Sequence, residues 1–228
     1  MGISKLIKGL FNFSKNKKQF SLGDQSWERP EPPLQSDGER LDRSLVKNRS
    51  RLETLFELPD NKDIVIRDFM LSNLGQNALL VYIDGLADRY SQSFAVLQPL
   101  MLLSPTELKS KDPLETVYEQ LVPSHQVQRS RLWKDVIDGI LEGSSVLLID
   151  TSDEALILET KDWEHRGIER PANEAVVRGP QEAFNETFRS CTAAVRRYLK
   201  DPKLVTEIFR VGTRSKTLTA VMYIKDIA

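Results

Sequence analysis

Apolar side chains along this chain fall into two recurring periods, and each change of period marks an element. From Leu41 to Leu58 they sit at Leu41, Leu45, Leu52, Leu55 and Phe56, one face of a helix that Pro59 stops. Runs rich in β-branched and aromatic residues follow at Ile64 to Leu71 and Ala78 to Asp84, joined by the polar loop Ser72 to Asn77, and predict two strands. Asp88 to Leu103 and Val127 to Leu141 read as helices. In the second, Leu132, Val136, Ile137, Ile140 and Leu141 form the buried face, and Gly143 suits a C-terminal cap. Val146 to Ile149 and Ala155 to Leu158 predict a hairpin across Thr151-Ser152-Asp153-Glu154.

Between Lys161 and Asn173 the periodicity lapses, with Gly167 and Pro171 inside the stretch, and a boundary is expected there. Val176-Val177 then leads into Arg178-Gly179-Pro180, a sharp turn into a helix. Glycine reaches backbone conformations closed to other residues, and proline lacks a donor that the first helical turn leaves unpaired anyway. Phe184, Phe188, Cys191, Val195 and Tyr198 recur on one helical face, with Glu182 and Glu186 near the start and Arg196, Arg197 and Lys200 near the end. That charge order complements the helix dipole. Asp201-Pro202 stops the helix, and Leu204 to Val211 and Thr217 to Ile224 predict strands around the turn Gly212 to Lys216.

The order of helix, strand, polar loop and strand thus occurs twice. Val81-Tyr82-Ile83-Asp84-Gly85-Leu86-Ala87 even matches Met222-Tyr223-Ile224-Lys225-Asp226-Ile227-Ala228. The expected fold class is α/β: two small α/β subdomains, each with a mixed sheet and packed helices, joined by a short linker. Residues 1–38 are expected to be a basic, flexible arm and linker, 39–165 the first subdomain and 166–228 the second. Because the first unit runs through Asp84-Gly85 into a helix, the second is expected to continue past Ala228 into one.

Composition narrows the function. The 228 residues are 40% hydrophobic, enough for packed cores, and a net charge of -1 argues against a globally basic nucleic-acid binder. The single cysteine, Cys191, excludes an intrachain disulfide and is expected in the core. Nowhere does the sequence approach the roughly 20 apolar residues of a membrane-spanning helix, and the amino terminus lacks a signal-peptide pattern. Lys5, Lys8, Lys15, Lys17 and Lys18 accompany Ile3, Leu6, Ile7, Leu10 and Phe11 at helical spacing. Two readings stay open for this arm: an amphipathic helix on an anionic membrane, or a disordered basic tail.

Candidate chemistry is sparse. His125 and His165 are the only histidines and stand outside any metal-ligand spacing; phosphate loops, dinucleotide fingerprints and nucleophile elbows are absent. Asp84 and Asp88 follow an apolar strand, where acidic residues of α/β sites occur, but capping of the next helix is the favoured reading. Arg178 before its Gly-Pro turn suits either an anion at a helix N-terminus or, preferably, a salt bridge between subdomains with Glu174 or Glu182. Arg196 and Arg197 combine solvated charge with packing of their aliphatic stems, or pair with a neighbouring subunit. Structural bets are Arg178, Gly179 and Pro180 at one junction and Asp84 with Gly85 at its equivalent.

The segment Val176 to Phe184, with the helix ending in Arg196-Arg197 and the hairpin after it, resembles the hydrophilic amino-terminal domain of the A subunits of spore-germination nutrient receptors, the GerA family. Supporting segments are Tyr82-Ile83-Asp84-Gly85-Leu86-Ala87-Asp88, Gly143 to Asp150, and Trp163 with Arg166 ahead of Pro171. Gln181 and Cys191 depart mildly from the family pattern, which often has a basic residue or glycine at the first and an asparagine near the second. The resemblance covers about Leu41 to Ala228. It implies a non-enzymatic domain without cofactors, on the cytoplasmic side of the spore inner membrane, ahead of a multi-helix membrane region. The implied partners are the B and C subunits, other A subunits and the membrane, and the implied role is assembly and signal relay or gating. Two rivals remain: a small-molecule module with a germinant in the cleft between subdomains, and an enzyme using Asp84 and Asp88.

Overall fold

Strands β2 (Gln76–Ile83) and β4 (Ser145–Ile149) carry apolar residues at consecutive positions, and the architecture follows from covering both of their faces. The computed structural model describes residues 38–72, 74–102, 112–122, 126–161, 184 and 186–227. In chain order the elements are α1 (Leu45–Leu55), β1 (Ile64–Leu71), β2, α2 (Gln98–Leu102), α3 (Pro113–Thr116), β3 (Val127–Ser130), α4 (Trp133–Leu141), β4, β5 (Ala155–Leu158), α5 (Phe188–Tyr198), β6 (Leu204–Val211) and β7 (Thr217–Ile224). Five strands form one sheet in the order β1-β2-β4-β5-β3, and β6 and β7 form a second. Residues 35–228 form one compact unit, and the boundary expected near residue 165 lies outside the described residues.

Alternation along a strand sends successive side chains to opposite faces. Leu79, Val81 and Ile83 therefore join Val146 and Leu148 beneath α1 and α4, where Leu52, Phe56, Trp133, Val136 and Ile140 meet them. Ala78 and Leu80 point the other way with Leu147 and Ile149, into a second core with Val96, Leu100, Leu114 and Val117. Helices thus cover both faces, which is why β4 is buried along its whole length.

The expected α/β class holds, but both sheets are antiparallel rather than mixed. Each of β1–β2, β4–β5 and β6–β7 is a local hairpin, which fixes opposite directions for its strands, and β2 pairs antiparallel with β4 from Ala78 opposite Ile149 to Val81 opposite Val146. The helix expected over Val127 to Leu141 divides. Its first residues form β3, which pairs with β5 at the sheet edge, and only Trp133–Leu141 is helical. Ser130 makes the break: its hydroxyl donates to Asp135 at 2.5 Å and accepts from the Leu132 amide at 3.0 Å, turning the chain from strand to helix.

The helix expected from Asp88 to Leu103 is present, with π geometry over Ser91–Leu97 ahead of α2. Pro99 supplies a cause, because a proline ring clashes with the carbonyl four residues back and a widened turn relieves it. Asp112 starts α3 by accepting from the Leu114 amide at 3.0 Å, with Pro113 at the first helical position; this start signal is present in the sequence. Among the described residues no helix is long and apolar enough to cross a membrane.

Leu79 and Leu80 are adjacent, both fully buried, and lie in different cores. Leu79→Ala and Leu80→Ala are each expected to cost about 2–5 kcal/mol, read as lowered urea midpoints. On a sheet with one wet face, one of the two would be nearly neutral.

Candidate functional site

Among the described residues one arginine is buried almost completely, and the elements that meet there define the site. Arg196, on α5, is 1% exposed and is the largest fully buried side chain among the described residues. Its Nε donates to Asp63 Oδ2 at 2.9 Å and its Nη2 to Asp63 Oδ1 at 2.8 Å, a two-pronged pairing. Nη2 also reaches the Leu204 carbonyl at 2.6 Å and Asn61 Oδ1 at 3.1 Å, and Nη1 reaches the Asp201 carbonyl at 3.3 Å. Arginine's planar fork matches a carboxylate in this geometry, which lysine cannot do.

The partners are satisfied in turn. Thr206 donates its hydroxyl to Asp63 Oδ2 at 2.9 Å and its amide to Asn61 Oδ1 at 3.0 Å. Asn61 donates to the Phe56 carbonyl at 3.0 Å and the Leu204 carbonyl at 3.1 Å. The backbone closes the arrangement: the Lys62 amide donates to Thr206 and the Asp84 amide to Asp63, both at 2.8 Å. The end of α1, the start of β1, the end of β2, α5 and β6 therefore meet in one network around this guanidinium, which itself touches Asp63, Asn61, Asp201 and Leu204. A buried pair stabilises only when its remaining valences are filled, and here they are.

A second layer lies outside it. Asp84 follows β2, and its carboxylate accepts from Arg189 on α5 and from Arg89 at 3.3 Å. Gly85 adopts φ +97°, and a Cβ there would stand 3.0 Å from the Arg189 carbonyl oxygen and 3.4 Å from Ala193 Cβ. The Asp84-Gly85 turn thus needs glycine on two counts, backbone conformation and the approach of α5. Asp84 works as an ion-pair partner, whereas Asp88 caps the next helix: it accepts from the Ser91 amide at 2.7 Å, the Ser91 hydroxyl at 2.6 Å and the Tyr90 amide at 3.1 Å. Burial raises the Asp88 carboxyl, but these hydrogen bonds outweigh it and hold the group below the usual carboxylate range.

Arg178, Gly179, Pro180 and Glu182 lie outside the described residues, as do His125, His165 and the arm up to residue 37. Arg197, beside Arg196, is half-buried, so the two adjacent arginines have different surroundings. The face that α5 buries is also shifted from the apolar stripe: Thr192, Ala193 and Arg196 are buried, Cys191 and Val195 are half-buried, and Tyr198 is exposed. The polar network attracts Arg196 inward and rotates the helix accordingly. Sequence reading missed Asn61, Asp63 and Thr206, because their partners stand more than 130 residues away.

Away from this junction, a cleft of about 730 Å³ opens between β3, β5 and α4, with Gln128, Asp135, Asp138, Glu142 and Lys161 in its wall. Burial pushes the Asp138 carboxyl up, aided by the nearby Glu142 and Asp135 charges, and Lys161 holds Glu142 down from 2.9 Å. Among the described residues no group of three His, Cys, Asp or Glu side chains is placed to hold a metal ion. The Arg196 junction itself unites charge with hydrogen bonding among side chains that are buried and already paired, which is the chemistry of positioning.

Residues 50–228 match the family described as Bacillus/Clostridium GerA spore germination protein. The chain is 29% identical over 185 residues to spore germination protein KA of Bacillus subtilis, covering 81% of this chain and 33% of that protein. With spore germination protein GerLA of Bacillus cereus it shares 30% identity over 172 residues, 75% of this chain and 34% of that one. It therefore spans about a third of the length of these curated relatives. The crystal structure of the N-terminal domain of the A subunit of the Bacillus megaterium spore germinant receptor GerK3 superposes with a TM-score of 0.64 at 27% identity, over 83% of this chain and 68% of that one.

Arg196→Met is expected to lower stability by about 3–5 kcal/mol, since it leaves the Asp63 carboxylate buried without its counter-charge. Adding Asp63→Leu to it should recover part of that loss in a denaturant double-mutant cycle. At neutral pH Asp88→Ala is expected to cost about 0.5–2 kcal/mol as a lost cap. Because the folded-state pKa of Asp88 is lowered, its stabilisation is full above the ordinary carboxylate pKa and fades as pH falls through the folded value. Thermal melting from pH 7 to pH 3 should therefore show the wild-type and Asp88→Ala curves converging at the acid end.

Proposed function

The chain belongs to the Bacillus/Clostridium GerA spore germination protein family, and from that premise we propose that it is the amino-terminal cytoplasmic domain of a germinant-receptor A subunit, taking part in receptor assembly and signal relay. Its partners in this reading are the B and C subunits and other A subunits at the spore inner membrane, with the domain on the cytoplasmic face. The domain relays rather than catalyses.

The observation that carries the relay is the junction around Arg196. A relay must pass a displacement from one element to another without slack, and coupling of this kind travels through packed side chains and hydrogen-bonded networks. Five segments meet in the network around an arginine that is 1% exposed, so a push on α5 or β6 reaches the start of β1 through Asp63 and the end of β2 through the Asp84 amide. The Asp84–Arg189 pair gives the same linkage an outer contact that solvent reaches. A germinant cleft between the two sheets is not favoured by this junction, because protein side chains fill it.

Breaking the outer pair while keeping the buried one separates relay from folding. Spores carrying the full-length subunit with Arg189→Glu are expected to hold normal amounts of it in their membranes yet germinate several-fold more slowly with nutrient. The exchanged pair Asp84→Arg with Arg189→Asp should restore much of the rate. Germination at the wild-type rate in Arg189→Glu spores with normal subunit levels would refute the relay.

A further inference from the structure

The cleft of about 730 Å³ beside α4 has a floor made by the five-stranded sheet. Ser145 pairs with Leu158, and Val127 pairs with the same residue from the other side, so one step further along Ser144, Glu159 and Gln126 stand abreast. The Glu159 amide donates to the Gln126 carbonyl at 3.1 Å and keeps that row in register. The next row on this face runs from Val146 through Ile157 to Gln128, apolar under α4 and polar at the β3 side. One stripe of α4 forms the wall, with Asp135, Asp138, Gly139 and Glu142 spaced i, i+3, i+4 and i+7. Gly139 lets that stripe come down on β5, since a Cβ there would lie 2.8 Å from Ile157 Cγ2.

Two features of this cleft have no counterpart in the packing around it. Ser144 lines it and is only 5% exposed, yet among the described residues its hydroxyl has no hydrogen-bond partner. A polar atom so placed is costly until something in the cleft bonds to it. The second feature is charge: among the described residues of the wall, Asp135, Asp138, Glu142 and Glu159 stand against Lys161 alone. Lys161 answers Glu142 at 2.9 Å, and Asp135 accepts from the Ser130 hydroxyl at 2.5 Å. Asp138 and Glu159 have neither a hydrogen bond nor an ion pair to their side chains among the described residues, and Lys134 and Lys200 act on Asp138 from outside the wall. Burial, with the like charges of Glu142 and Asp135, raises the Asp138 carboxyl, as happens where a carboxylate lacks a close counter-charge.

We propose that this cleft binds a small aliphatic molecule carrying two or more protonated amines, held by Asp138, Glu159 and the Ser144 hydroxyl. Protonated amines only donate, and acceptors are what these three side chains leave open. Their bonds to carboxylates are charge-assisted and stronger than neutral ones. Ile157, between the polar groups of the floor, gives the methylene segments an apolar bed. The volume is that of a small-molecule site. A single amine offsets too little of a wall with four carboxylates and one ammonium, and the carboxylate of an amino acid is repelled there. A divalent metal ion fits less well, because among the described residues no three His, Cys, Asp or Glu side chains are placed to hold one. This inference concerns the five-stranded sheet and α4 and stands independently of the relay.

The test is isothermal titration calorimetry of the whole 228-residue chain with spermidine, beside butylamine, lysine and magnesium chloride. Spermidine is expected to bind saturably, one to one, at least about tenfold more tightly than the other three. Asp138→Asn with Glu159→Gln, both at exposed positions, should weaken it at least about tenfold while leaving the melting temperature of the free protein in place. Ser144→Ala should weaken it several-fold, again without lowering the melting temperature, because the hydroxyl has no partner to lose. Equal affinity for magnesium or butylamine would overturn the proposal, since it would report only general attraction to an acidic surface. So would spermidine binding that the double variant leaves unchanged, which would place the amine elsewhere, and so would the lack of any saturable binding.

Discussion

Everything on the α5 side of this molecule depends on one buried ion pair. An unpaired guanidinium inside a protein costs several kcal/mol, so Arg196 is tolerable only with Asp63 in a two-pronged grip and with Asn61, Leu204 and Asp201 taking its other donors. That demand fixes where α5 lies. It turns Thr192 and Ala193 inward beside Arg196 and brings Ala193 against Gly85, where a side chain would collide with the Arg189 backbone. It also holds the root of the β6–β7 hairpin through Thr206 and the Leu204 carbonyl. A two-stranded hairpin is marginal by itself in water. Its attachment here is polar and directional as well as apolar.

The five-stranded sheet supplies the rigid body on which this junction rests. Two cores on opposite faces of β2 and β4 leave these strands no solvent-facing side, and such cores resist gradual deformation. Asp63 immediately precedes β1 and Asp84 immediately follows β2, so the buried and the outer ion pairs both grip the same end of one hairpin. A force arriving at α5 is therefore delivered to the ends of the most buried part of the molecule. This arrangement suits a domain whose relatives are proteins of spore germination and for which a relay role is proposed.

Much of the fold was legible in the pattern of apolar residues, and the exceptions have physical causes. Strands β1, β2, β4, β5, β6 and β7 follow from β-branched runs bounded by polar turns, because those signals are local. β3 is four residues long, too short for a period to appear, and its strand character comes from pairing with β5. The site was legible only by halves. Asp84, Gly85 and Arg196 stand out as charged or glycine residues at element ends, and the family resemblance singles out their segments. Asp63, Asn61 and Thr206 look like ordinary polar residues at strand starts, and only the fold brings them to Arg196. The apolar stripe of α5 pointed toward Cys191 and Tyr198, but the stronger requirement to pair a buried charge set the helix rotation.

The most direct test of this account is native-state hydrogen exchange of the Lys62, Asp84 and Thr206 amides, the three backbone donors of the junction. If the ion pair welds α5 and β6 to the central sheet, all three exchange in a single cooperative opening, with the same free energy and the same denaturant dependence as amides inside β2 and β4. If Thr206 instead exchanges through a separate, lower-energy opening while the β2 amides remain protected, the junction is a loose contact and cannot be what the rest of the structure depends on.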